Sequence, residues 1–92
     1  MTTTFQKDPA ATLDYSVDWT EFLETGEAIS ASTWTVPDGI TQVTTSFTDT
    51  KGIIWLSGGT LGKSYEIVNR ITTDNNPARI DERTIVILMV NK

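Results

Sequence analysis

Residues 53–71, IIWLSGGTLGKSYEIVNRI, limit what this chain can fold into more than any other stretch. Two apolar runs flank a connection that holds Gly58, Gly59 and Gly62. Successive side chains of a strand point to opposite faces. Ile53, Trp55, Tyr65, Ile67 and Ile71 all stand at odd positions, so they are predicted to share the inward face of a ribbon. The glycines supply backbone freedom where the chain reverses or passes close to itself. A strand, a glycine-bearing connection and a second strand is a β signature.

Gly62 stands three residues before Tyr65. That spacing resembles the tyrosine corner of immunoglobulin-like sandwiches, where a Tyr near the start of a strand bonds back to the preceding backbone. An ordinary hairpin with a core tyrosine would carry the same residues. Composition agrees with β. Thr is the commonest residue, at seventeen positions, and it suits a pleated, half-buried surface.

The chain has no cysteine and no histidine. Disulfides, thiolate metal sites and imidazole acid–base chemistry are therefore excluded. This fits a reducing cytoplasm or an assembled particle that needs no redox chemistry. No apolar run reaches transmembrane length, and MTTTFQKDP lacks the apolar core of a secretory signal. The net charge of −5 argues against nucleic acid as the main partner. A membrane is not an expected partner either. Residues 1–38 hold seven acidic groups against Lys7, while residues 39–92 hold six basic and five acidic ones. Besides solubility, that asymmetry allows neighbouring copies to meet acid to base.

Taken in order, residues 1–9 lack periodicity and read as a flexible arm, with residues 10–92 as one β-sandwich domain. From Leu13, Tyr15 and Val17 alternate with Asp14, Ser16 and Asp18 as a half-buried strand. Asp18 or Thr20 can cap a short helical turn near residues 19–23, folding Trp19, Phe22 and Leu23 over one end. Residues 27–36 change parity between Ile29 and Trp34, which predicts a bulge near Ser32 and Thr33. Pro37-Asp38-Gly39 marks a turn, and residues 40–47 alternate weakly with Val43 and Phe47 inward. Strands over 51–57 and 65–73 follow, then a polar connection over 74–79. Residues 84–90, TIVILMV, are apolar on both parities. Only one of their faces can enter a two-layer core, so the arm or another subunit must cover the other. Six or seven strands in one small domain give an all-β, immunoglobulin-like antiparallel sandwich.

Catalytic signals are weak throughout. Asp14 and Asp18 lie about 13 Å apart along a strand, too far to share a proton. GTLGKS echoes the tail of a phosphate loop but runs into strand rather than helix. There is no dense acidic calcium loop. Trp19, Trp34 and Trp55 could stack a sugar or a single strand, but their parities send at least two into a core. The chain reads as a non-enzyme without a cofactor.

The ordered segments LDYSVDW, STWTV and WLSGG…Y…NRITT resemble those of small virion proteins of tailed bacteriophages, labelled fiber–tail adaptors. The likeness runs over residues 7–90. Ile80, which lengthens the last connection, and the strongly apolar TIVILMV depart from it. The resemblance implies an immunoglobulin-like module without enzymatic activity, present in several copies in the virion. It further implies a ring, assembly in the bacterial host cytoplasm, and neck, tail or fiber proteins as partners. A capsid decoration protein and a carbohydrate- or receptor-binding sandwich are the alternatives. The expected contact surface joins the arm (Phe5, Lys7) to the last strand (Val86, Leu88, Val90). Arg70, Arg79 or Arg83 are expected to meet Asp14, Asp18, Glu21 and Glu24 of a neighbouring copy.

Overall fold

The computed structural model describes residues 3–91. Seven strands form: β1 (Thr3–Lys7), β2 (Leu13–Asp18), β3 (Ile29–Thr35), β4 (Ile40–Phe47), β5 (Lys51–Gly58), β6 (Ser64–Thr73) and β7 (Ile80–Met89). They build a two-sheet sandwich of immunoglobulin-like type, with β1-β7-β6-β3 facing β2-β5-β4. No helix forms among the described residues, and none could cross a membrane. Residues 19–23 make a single turn, in which the N–H groups of Phe22 and Leu23 both bond to the Trp19 carbonyl.

The expected free arm is a strand from Thr3 to Lys7; residues 1–2 lie outside the described residues. β1 pairs with β7 in parallel, setting Phe5 beside Ile87 and Lys7 beside Met89. Every other pairing is antiparallel, so the sandwich departs from the all-antiparallel expectation at this one seam. Short length and Thr-rich composition hid the strand. What holds it is the apolar last strand alongside.

The odd-parity rule holds for β6, where Tyr65, Ile67 and Ile71 are buried. It fails for β5. There Ile54 and Leu56 are fully buried and Trp55 is 39% exposed on the outer face. The two strands lie in different sheets, so the glycine connection crosses the sandwich and face parity does not carry over it. Gly52 shares the inner face because a side chain there would collide with the Asn69 amide.

The bulge in β3 falls at Ser30, between Ile29 and Ala31, rather than at Ser32 and Thr33. β4 has its own irregularity at Val43, between Gln42 and Thr44. Val43 and Phe47, expected inward, are 53% and 44% exposed, because β4 is an edge strand covered on one side only. The core is Tyr15, Val17, Trp19, Ile29, Ile40, Ile54, Leu56, Tyr65, Ile67, Ile71, Ile85, Ile87 and Met89.

Candidate functional site

Three features stand out as sites: a clamped turn at one pole, a bonded tyrosine at the other, and an outer face on the sheet of β7. The turn is held by two arginines. Arg79, from the connection before β7, donates from Nη1 to the Glu27 carboxylate at 2.8 Å and from Nη2 to the Phe22 carbonyl at 3.3 Å. Its guanidinium lies 4.0 Å above the Phe22 ring. Arg83 donates to the Asp18 carbonyl at 3.0 Å and sits 4.3 Å over the Trp19 ring. Planar guanidinium groups do both jobs at once, bonding through the edge and stacking through the face.

The charges inside this clamp are tuned by their bonds. The Glu24 N–H, the Thr73 hydroxyl and Arg79 hold the Glu27 carboxyl below its usual range, against the opposing effect of burial. Asp18 is also lowered, first by the Thr20 hydroxyl and N–H, with Lys51 and Arg83 adding charge. Beneath the turn, the fully buried Trp19 donates from Nε1 to Asn69 Oδ1 at 2.9 Å. Asn69 Nδ2 in turn donates to Ser32 Oγ at 2.9 Å and to the Thr33 carbonyl at 3.0 Å. One buried amide thus ties β6, β3 and the end of β2 together. Asn69 was not foreseen as a site residue, yet the sequence held a signal: a polar residue on the inward parity of Tyr65, Ile67 and Ile71.

At the opposite pole the Tyr65 hydroxyl accepts a hydrogen bond from the Thr60 N–H at 3.0 Å, five residues upstream. That bond favours the phenolate and lowers the Tyr65 pKa from its ordinary value. Gly62, between them, takes φ +86°, a conformation in which a side chain is strained. Close by, Lys7 is buried and reaches across the sandwich to the Gly58 carbonyl at 2.8 Å and the Asp8 carbonyl at 3.0 Å. Burial pushes its ammonium below the usual lysine range, partly opposed by the Asp8 charge.

The residues expected to form an interface therefore divide. Lys7 cannot take part as a surface group, since the parallel register with β7 turns it inward beside Met89. Phe5, turned the same way, is half-buried with its ring 5.1 Å from that of Tyr15. Arg79 and Arg83, expected to meet acidic residues of a neighbouring copy, meet acidic residues and carbonyls of their own chain, since the 19–23 turn folds under them. Val86 and Leu88 do face outward, opposite the buried Ile85, Ile87 and Met89, and each is half-buried. Thr4 and Glu66 flank Val86, and Gln6 and Ser64 flank Leu88. Val90, just past β7, is half-buried, and its N–H bonds to the Lys7 carbonyl. What results is an apolar pair inside a polar frame.

Between the edges of β1 and β2 runs a groove of about 310 Å³, lined by Phe5, Val17, Asp18, Glu21 and Arg83 among others. Among the described residues, no group of three or more His, Cys, Asp or Glu could hold a metal ion. No curated protein matches the chain in sequence. A family model does, described as podophage GP4 fiber-tail adaptor protein gp77, over residues 7–88, which take in β2 to β6 whole and nearly all of β7. The chain belongs to that family of phage structural proteins.

Proposed function

We propose that this chain is a non-enzymatic spacer in the tail of a bacteriophage virion, joining fibers to the tail or neck in several copies. The observation that carries the reading is the family match over residues 7–88, which spans nearly the whole sandwich rather than a short motif. The shape supports it. The molecule measures 44 × 22 × 18 Å, so its two poles are far enough apart to meet two different components. Assembly into the particle takes place in the host cytoplasm, which suits a fold with no disulfide. The outer face of β7 is the surface through which the module docks, with Val86 and Leu88 as its apolar centre.

Two measurements on phage test this. A phage that lacks the chain should yield particles with heads and tails but without fibers; particles that keep their fibers would overturn the adaptor role. Complementation with Leu88→Asp should then fail to restore the module to the particle, while circular dichroism shows the sandwich intact. Normal incorporation of Leu88→Asp would move the docking surface away from β7.

A further inference from the structure

One tryptophan of this chain stands in solvent. Trp19 is fully buried and Trp34 half-buried, whereas Trp55 is exposed on the outer face of the β2-β5-β4 sheet. β5 is the central strand there, so Trp55 has a cross-strand neighbour on each side, Asp14 of β2 and Thr44 of β4. Directly opposed side chains on one sheet face have Cβ atoms about 5 Å apart, close enough to touch a common group. Ile53, two residues earlier on the same strand, shares that face and is half-buried. A large aromatic left in water beside a carboxylate calls for a reason.

Neither the ring nor the carboxylate is spent within the chain. Among the described residues, the Asp14 carboxylate makes no hydrogen bond and no ion pair, and no cation lies over the Trp55 ring. Basic side chains are committed elsewhere: Lys7 is buried, Arg70 pairs with Glu82 on the other sheet, and Arg79 and Arg83 hold the 19–23 turn. Lys51 stands beside Asp18, at the far end of β5. The clamped turn shows what such a pair of groups can hold. Arg79 lies 4.0 Å over Phe22 while bonding the Glu27 carboxylate, and Arg83 lies 4.3 Å over Trp19 while bonding the Asp18 carbonyl. An aromatic face beside an oxygen acceptor is a guanidinium seat, filled twice inside the molecule and left open at Trp55.

We propose that Trp55 and Asp14 form a seat for an arginine side chain of a partner protein. The guanidinium stacks on the indole face and bonds the Asp14 carboxylate through its edge, with its methylene stem along Ile53. Charge selects this occupant. The strands of this outer face carry Asp14, Asp18 and Lys51, in a chain of net charge −5, so the field there draws a cation. A neutral sugar, which can also stack on an indole, gains nothing from that charge. Lysine brings a point charge rather than a plane that stacks and bonds at once. One exposed seat of this kind is weak by itself, and it orients a larger contact more than it tightens it. It lies on the opposite sheet from Val86 and Leu88, and it stands or falls apart from the adaptor reading.

The test follows the Trp55 indole N–H by heteronuclear NMR of the purified chain, with N-acetyl-arginine methylamide as the probe. The indole resonance should move saturably as the probe is added, and added sodium chloride should weaken the response. The citrulline analogue keeps nearly the same shape without the charge, and should bind at least ~10-fold more weakly. Asp14→Asn, at an exposed position, should weaken arginine binding at least ~5-fold with an unchanged urea midpoint. Trp55→Leu should abolish the response of the Asp14 and Thr44 amides. Four results would each overturn the proposal: no response up to the solubility limit of the arginine probe, equal binding of arginine and citrulline, an Asp14→Asn variant that binds as the native chain does, or an indole that responds to N-acetylglucosamine in preference to arginine. If Trp55→Leu unfolds, the Asp14→Asn and citrulline comparisons still decide.

Discussion

Asn69 has the least freedom to change of any polar residue in the core. It is fully buried, and both ends of its amide are used, with Trp19 on one side and Ser32 and Thr33 on the other. A buried amide in low dielectric is stabilising only while every partner is present. Replacing it with an apolar residue of similar size strands the indole N–H and the Thr33 carbonyl, each costing about 1–3 kcal/mol. We therefore expect Asn69→Leu to lose at least ~2 kcal/mol in urea denaturation. In a double-mutant cycle with Trp19→Phe, the two losses should be strongly non-additive. Additive losses would mean that the indole bond contributes nothing. At this scale the sequence was legible wherever polarity marked a face. Tyr15, Val17, Tyr65 and Ile67 are buried as their alternation predicts. Trp55 was not legible, because Ile53 and Trp55 compete with Ile54 and Leu56 for the same face. Neither parity of β5 is polar, and Gly52 against Asn69 settles the phase only in three dimensions.

At the scale of elements, strand positions followed the pattern closely, since turns such as Pro37-Asp38-Gly39 and the 74–79 connection punctuate the chain. What alternation could not convey was partnership: β5 and β6 are neighbours in sequence yet belong to opposite sheets, and β1 is held by a strand from the other end of the chain. The same limit applied to the arginines. Their charge was visible, but the fold of the 19–23 turn beneath them was needed to show that Arg79 and Arg83 are engaged within the chain. This clamp makes the turn pH-sensitive, and the sign follows from Glu27. Its folded pKa is lowered, so the unfolded chain binds the proton more readily and stability falls on acidification. The contribution is complete above the ordinary carboxylate range and is lost as pH drops through the lowered value. Urea midpoints measured across pH should show Glu27→Gln less stable at neutral pH and with a shallower acid limb than the native chain. Asp18, shifted in the same direction, keeps that limb from vanishing. Parallel curves for the two proteins would mean that the Glu27–Arg79 contact has no part in holding the turn.

For the whole molecule, the spacer role proposed above requires stiffness along the long axis. A flexible tether could connect two components without fixing their spacing, whereas a sandwich whose strands run from pole to pole can fix both. β6 and β7, ten residues each, reach roughly 33 Å at ~3.3 Å per residue, most of the 44 Å length. Ties between the sheets resist shear at both ends: Trp19 to Asn69 near the clamped turn, and Lys7 to Gly58 near Tyr65. Pole-to-pole motion would have to break these buried bonds together with strand pairing, so large bending is confined to the loops. Two exposed turn residues at opposite poles, Asp38 and Asp74, can each be changed to Cys and spin-labelled without competing thiols. We expect the double electron–electron resonance trace of Asp38→Cys with Asp74→Cys to give one narrow distance distribution. That distribution should be the same in the free protein and in the assembled particle. A broad or two-peaked distribution in the free protein would show that the poles move independently. The module would then be a hinge between tail and fiber rather than a spacer that sets the distance between them.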